Sequence, residues 1–329
     1  KTVTLDMPRA GKNIDWTGAT NSSTWTLGNN FTLYGSLTLI SGMTFNGTYT
    51  VTFEGRAVGM PVGGWTITSA GKTFPNVVTI AAFGGTYSLQ DAFSSTNNVL
   101  TINNGTFTAN TFNVTAFKFS STQALTRAIN MGSGTWTITA NDATPWNIAA
   151  VAGLTFNAQT STLIMSNTSA SAKGFGGGSL TYNNVTFSGD NIIVTGSNTF
   201  NTIALNNAGL GIGLRLTAGT TQNVNNFTSN GSVGSLTAAS STSASVATIH
   251  KFGGGTICLD YVNIDYIVGS PANTWYMGAN STDGGHNTQL IFTGCPGAPT
   301  PNTGARTTSG PANEKVWGGF KIRGGVKFR

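Results

Sequence analysis

Apolar and polar residues alternate with period two in many short runs of the chain. In Thr135-Trp136-Thr137-Ile138-Thr139 the apolar side chains fall on one side and the threonines on the other, the pattern of a half-buried strand. An aromatic residue flanked by Thr, Ser, Asn or Gly recurs through the first two-thirds of the sequence. It stands at Trp25, Phe45, Trp65, Tyr87, Phe107, Trp136, Phe156, Tyr182 and Phe200. The steps are 20, 20, 22, 20, 29, 20, 26 and 18 residues, so six of the eight lie between 18 and 22. Asn46-Gly47, Asn103-Asn104-Gly105, Asn183-Asn184 and Asn206-Asn207 punctuate the runs as turns.

A repeat of this period belongs to a solenoid. A leucine-rich repeat needs a Leu/Asn ladder and helical segments, and neither is present. The pattern predicts an all-β fold, a parallel β-helix (β-solenoid) of about 20-residue coils, each with three short strands and three turns. One coil cannot bury its apolar side alone, whereas stacked coils bury a continuous core. Trp25, Phe45, Trp65, Tyr87 and Phe107 are expected to form a single interior ladder, with Asn and Thr hydrogen-bonded in ladders along matching turns. The longer steps predict surface insertions at Ser120-Ser121-Thr122 and at Lys173–Gly178. A β-sandwich is the competing architecture, and the near-equal aromatic spacing argues against it.

The rhythm changes after about residue 202. Gly209–Leu216 and Cys258–Ile267 each read as a strand, and Pro296, Pro299 and Pro301 then break the pattern. The expected organisation is an N-terminal lead-in or cap over 1–20, the β-solenoid over 21–295, a Pro-rich linker over 296–305 and a basic C-terminal attachment segment over 306–329. In that last segment a hairpin with a loop at Arg323–Gly325 sets Phe320 opposite Phe328 and Ile322 opposite Val326. This β extension carries an apolar face, and a lone hairpin needs a partner. Phe320, Ile322, Val326 and Phe328 are therefore the expected assembly contact.

Composition sharpens the picture. Of 329 residues, 39% are hydrophobic and 8% charged, against roughly a quarter charged in an ordinary domain. Ser, Thr, Asn and Gly must build the polar surface. The 10% of aromatic residues excludes a disordered chain. The net charge of +6 resides in the tail: residues 306–329 hold six Lys/Arg and one Glu, residues 1–305 ten Lys/Arg and nine Asp/Glu. An almost neutral body makes nucleic acid an unexpected partner. No apolar run is long enough for a membrane-spanning helix. The chain opens at Lys1 without a visible signal peptide and reads as a processed or trimmed piece. Cys258 and Cys295 read as two unpaired thiols, with a single bridge as the alternative that spacing alone does not decide.

Parallel β-helices include polysaccharide-cleaving enzymes, so the placement of catalytic groups matters. Glycoside hydrolysis needs two carboxylates a few ångströms apart, and the ten carboxylates here are scattered. Asp260 and Asp265, the nearest pair, have an odd separation that puts them on opposite faces of a strand. His250 and His286 accompany no nucleophile elbow, and the turn around His286 offers too few ligands for a metal. Phe175–Gly178 and Phe252–Gly255 lack the Lys-Ser/Thr ending of a phosphate loop and read as turns. The expectation is a non-enzyme with no catalytic, cofactor-binding or metal residues. Trp275-Tyr276 reads either as a glycan contact or as a cap over the end of the solenoid.

Several blocks occur in a particular order: Gly134–Thr139, Gly153–Asn157, Thr181–Gly189, Gly196–Asn201, Thr217–Gln222 and Thr274–Ser281. They resemble a widespread group of β-helical proteins of environmental bacteriophages and some bacteria, usually read as virion or tail-associated surface proteins. The likeness covers about residues 130–295, and the chain departs from it after Cys295. It implies a non-enzymatic virion structural protein, as a fibre, tail-associated or capsid-surface component, placed on the virion surface or otherwise extracellular. The implied partners are other virion subunits, further copies of the chain and a host-surface glycan. The alternatives are a bacterial cell-surface adhesin or filament subunit and, in third place, a polysaccharide-cleaving β-helix enzyme.

Overall fold

The computed structural model describes residues 2–5, 7, 9–20 and 22–296, with the backbone of 316–317 and 320–321. The chain divides into two compact units, Lys1–Cys295 and Pro296–Arg329. The first unit is a parallel β-solenoid of about 13 turns with coils of about 22 residues, and no helix occurs among the described residues. Each ladder joins a strand to its counterpart one coil further on, so the sheets wind up the axis instead of closing into a barrel. At the strand spacing of about 4.8 Å, 13 turns make a rod of roughly 60 Å.

Three faces surround the core. On the first, Trp25 pairs with Phe45, and the line resumes as Phe93–Val114–Trp136–Leu163–Val185–Ile203–Phe227. Phe74 bridges the two stretches, with ring centroids 5.5 Å from Phe45 and 4.9 Å from Phe93. The second face stacks Phe31, Val51, Val78, Leu100, Phe119, Trp146 and Phe175. On the third, Trp65, Tyr87, Phe107, Ile129 and Phe156 follow one another, and Tyr182, Phe200, Val224 and Lys251 continue it. Stacking is tight enough to dictate residue type. A side chain at Gly132, which has φ +75°, would run into the backbone of Asn110 in the preceding coil.

The aromatic series is therefore not one ladder. Trp25, Phe45 and Trp136 belong to the first face, while Trp65, Tyr87, Phe107, Phe156, Tyr182 and Phe200 belong to the third. The steps from Phe45 to Trp65, from Phe107 to Trp136 and from Trp136 to Phe156 cross between faces. All inward positions look alike in a one-dimensional pattern, because each side of the core wants the same apolar residue. The expected insertions lie partly in the ladders: Val114–Ser120 runs from the first face to the second and Lys173–Gly176 is a strand of the second, Ser121 and Lys173 are buried, and 123–126 form an exposed loop. The run Cys258–Ile267 divides among three strands, Ile257–Cys258, Val262–Asp265 and Ile267–Ser270. Tyr261 and Tyr266 form its corners with φ of 56° and 53°.

Residues 1–20, expected as a lead-in or cap, contain three short strands. Thr2–Leu5, Arg9–Gly11 and Ile14–Asp15 pair with Thr24–Leu27, Phe31–Leu33 and Leu37–Thr38, forming a first coil. Its outer edge leaves Val3 and Met7 exposed. Near the other end Cys258 and Cys295 are joined by a disulfide with Cα atoms 5.6 Å apart, in place of the two free thiols expected. Corners bring together cysteines that 37 residues separate along the chain.

Buried cations hold corners together. Arg127 donates to Ser121 Oγ (2.7 Å), to the carbonyls of Leu125 (3.1 Å), Ala152 (3.2 Å) and Ser121 (3.3 Å), and to that of Ala150. Lys173 donates to the carbonyls of Ser171 (2.7 Å) and Ser169. Burial pushes the Lys173 ammonium below its ordinary pKa, opposed by Asp190.

In the second unit Val316–Trp317 pairs antiparallel with Phe320–Lys321, setting Trp317 opposite Phe320. Ile322, Val326 and Phe328 of the expected hairpin lie outside the described residues.

Candidate functional site

Trp275, one of the two residues nominated for glycan contact, is completely buried. Its indole N–H donates to the Ser270 carbonyl at 2.9 Å, and its ring meets Phe227 at 5.8 Å. It belongs to the interior of a late coil and offers no face to a sugar. Tyr276, on the outward side of the same strand, is half-buried.

Several of the described carboxylates serve the corners. Asp91 accepts the N–H groups of Ser69 and Ala70 at 2.7 and 2.5 Å. Asp190 accepts those of Asn191, Ile212 and Gly213, tying two coils. Asp260 accepts the N–H of Tyr261 and both the backbone and side-chain N–H of Asn280. Asp15 and Asp283 bond within their own turns. Asp142 pairs with Lys118 at 2.7 Å, which holds its carboxyl below the usual range. His286 stacks on Tyr266 with centroids 4.1 Å apart and stands 3.4 Å from Asp265. Among the described residues no three His, Cys, Asp or Glu side chains converge as a metal site would require.

The strongest candidate lies on the third face, where its ladder is interrupted. Leu154–Asn157 pairs with Arg127–Asn130 of the preceding coil. Thr181–Phe187 pairs with Thr199–Leu205 of the next coil and, through its later residues, with Thr162–Met165. Between Leu154–Asn157 and Thr181–Asn183 there is no pairing, and a groove of about 700 Å³ opens. In a parallel ladder a residue turns both backbone groups to one neighbour and the next residue turns them to the other. The N–H groups of Met131 and Arg127 donate to the carbonyls of Asn157 and Gly153, both at 2.9 Å. Residues 153, 155 and 157 therefore face the preceding coil, and the N–H and C=O of Phe156 point into the groove.

A row of side-chain amides runs along this face. Asn130 donates to Thr108 Oγ1 at 3.0 Å, and Asn157 donates to Asn130 Oδ1 at 2.7 Å. Beyond the groove, Asn201 donates to Asn184 Oδ1 at 3.3 Å and Asn225 to Asn201 Oδ1 at 3.1 Å. At the gap, Asn183 turns its amide to the Ser161 carbonyl instead. Asn157 Oδ1 accepts no hydrogen bond among the described residues. Thr181 and Thr199 supply hydroxyls beside the row.

Aromatic residues bound the groove. Phe156 is only half-buried and contacts Tyr182 with centroids 5.0 Å apart. Tyr182 is buried below it, donating to the Gly177 carbonyl at 2.9 Å and accepting from Trp146 Nε1 at 3.1 Å. Burial pushes this phenol well above its ordinary pKa. Phe252 stands 39% exposed at the far end, where the register continues the amide row past Asn225. Lys251 fixes it: the ammonium takes an interior ladder position and donates to the carbonyls of Asn225 and Phe252 at 2.7 and 3.1 Å. Gly253, Gly254 and Gly255, with φ of 78°, 72° and 75°, then turn the chain away.

The lining carries amides, hydroxyls and rings, without a carboxylate, histidine or cation. Such a surface offers paired donors and acceptors beside apolar platforms. The sequence held its traces: the 26-residue step between Phe156 and Tyr182, Asn at 130, 157, 183, 201 and 225, and Phe252 before three glycines. Read singly, these are an irregular repeat and ordinary turns.

No protein-family model, no curated protein and no solved structure matches the chain.

Proposed function

We propose that the chain is a non-enzymatic structural protein of a bacteriophage virion, a rod in a fibre, tail-associated or capsid-surface component that faces the exterior. The observation that carries the non-enzymatic reading is the use of the carboxylates. Asp91, Asp190 and Asp260 each hold two or three N–H groups of a corner, where a hydrolase would converge two acids on a cleft. The disulfide supports an exterior location, since such bonds persist in oxidising surroundings and on virion surfaces. The ordered blocks over about 130–295 support the virion assignment. Residues 306–329, with the apolar and basic alternation of Phe320–Arg329, are the attachment element to neighbouring subunits.

Electron microscopy of the native particle, with an antibody against the solenoid, tests the reading. Label on the particle exterior is expected, as is loss of incorporation when 306–329 are deleted while thermal unfolding of the rod is unchanged. Recovery of the chain free of any particle, or release of reducing ends from surface polysaccharide by the purified protein, overturns it.

A further inference from the structure

We infer that the groove between Leu154–Asn157 and Thr181–Asn183 binds a neutral, polyhydroxylated glycan, which replaces the rung missing from the amide row. This deepens the reading of the chain as an exterior rod, because it names what the rod's surface recognises. The binding itself does not depend on where the rod is mounted.

Three features converge on that ligand class. The first is hydrogen-bonding capacity that no neighbouring group among the described residues uses. Asn157 Oδ1 and the backbone groups of Phe156 face a gap that no side chain of the next coil fills. Sugar hydroxyls donate and accept at once, so one ring can bond to an acceptor and a donor that stand side by side. The second is a pair of accessible rings, one half-buried and one exposed. Phe156 and Phe252 flank the groove, and flat apolar faces suit the C–H face of a pyranose. Lys251 donates to the Phe252 carbonyl from below, which fixes the main chain that carries the ring. The third is charge. The lining carries no ionised group, so an anionic or cationic ligand would lose its hydration without a counter-charge.

An extended peptide adding a strand to the gap is the competing occupant. It needs a full strand spacing on each side, about 9.6 Å between the flanking strands. Ring centroids only 5.0 Å apart for Phe156 and Tyr182 show that the interior remains closed. The opening is an outward trough, which fits a chain of sugar rings lying on the face.

The test is calorimetric titration of the full chain with neutral hexasaccharides of glucose, mannose, galactose and N-acetylglucosamine, and with hexagalacturonate. At least one neutral hexasaccharide is expected to bind, with an affinity indifferent to salt. Phe252→Ala and Asn157→Ala should each weaken it by about tenfold, the loss of a stacked ring or a hydrogen bond. Phe83→Ala, whose ring is 71% exposed away from the groove lining, should bind as the parent does. Unchanged melting temperatures separate loss of ligand from loss of fold. Absence of binding to every neutral hexasaccharide overturns the inference. So does salt-sensitive binding of hexagalacturonate alone, or a neutral affinity that both groove variants retain. Particle labelling is a separate measurement, so the two readings fail independently.

Discussion

Asn157 donates its side-chain amide to Asn130 across one coil step at 2.7 Å, in a row that the following coil does not continue. Asparagines at matching positions repeat the same bond in successive coils, so the face is held by neutral groups instead of ion pairs. This explains how a chain with 8% charged residues builds a polar surface. It also locates the groove, because a bond missing from the amide row coincides with a strand pairing missing from the third-face ladder.

The interrupted ladder changes what an aromatic residue there contributes. Trp136 is fully enclosed and flanked by Val114 and Leu163. Replacement by Ala is expected to cost about 3 to 5 kcal/mol, as for buried aromatics generally. The spacing alone assigns the same cost to Phe156. Half-buried at the groove, Phe156 should lose only about 1 to 2 kcal/mol on the same change. Urea unfolding of the two variants checks the difference, and equal losses would contradict the groove.

Arg127 should be irreplaceable by lysine. Its guanidinium reaches four carbonyls and a hydroxyl across two corners, which one ammonium group cannot span. Arg127→Ala leaves several buried carbonyls without donors and should cost about 2 to 4 kcal/mol. Arg127→Lys should recover less than half of that. Denaturant midpoints for the two variants decide it, and full rescue by lysine would mean that charge alone matters.

Alkaline stability should follow the buried phenols. Burial raises the pKa of Tyr87 and Tyr182 above the ordinary 10.0, partly offset by the hydrogen bonds of Gly55 and Trp146. Unfolded, both phenols ionise near pH 10.0; folded, they keep their protons. Above that pH the unfolded chain binds fewer protons, so stability falls as pH rises, by up to about 1.4 kcal/mol per pH unit for each tyrosine. Below it these groups contribute no slope. Tyr182→Phe should flatten the alkaline decline, while costing about 1 to 3 kcal/mol at neutral pH by leaving the Gly177 carbonyl without its donor. Melting temperatures measured from neutral to alkaline pH give the slopes, and an unchanged slope in the variant would remove Tyr182 as its source.

Reduction should act locally. The bridge closes a segment of 37 residues, for which chain entropy predicts a stabilisation of about 4 kcal/mol. In a stack where each coil contacts only its neighbours, that loss falls on the last coils. Cys258→Ser with Cys295→Ser should therefore raise amide exchange over about 257–295 and leave the coils around Trp136 protected. Hydrogen exchange with mass analysis reads this directly, and uniform loss of protection would show the rod to be one cooperative unit.

Local chemistry made the architecture legible from the sequence. Alternation in Thr135–Thr139 records a strand with one side in a core, and aromatic steps near 20 residues record coils that stack. The two irregular steps were equally visible, but their meaning was not. Coil length varies with the corners, from 15 residues between Trp275 and Leu290 to 30 between Leu37 and Ile67. A count along the chain therefore states that Trp65 is interior without stating that it lies on a different face from Phe45. Only the stacked structure decides which residues of different coils become neighbours. It alone buries Trp275, joins Cys258 to Cys295, and leaves Asn157 facing an open groove. The physical reason is that burial is set by the local alternation of residue types, whereas juxtaposition is the sum of every corner in between.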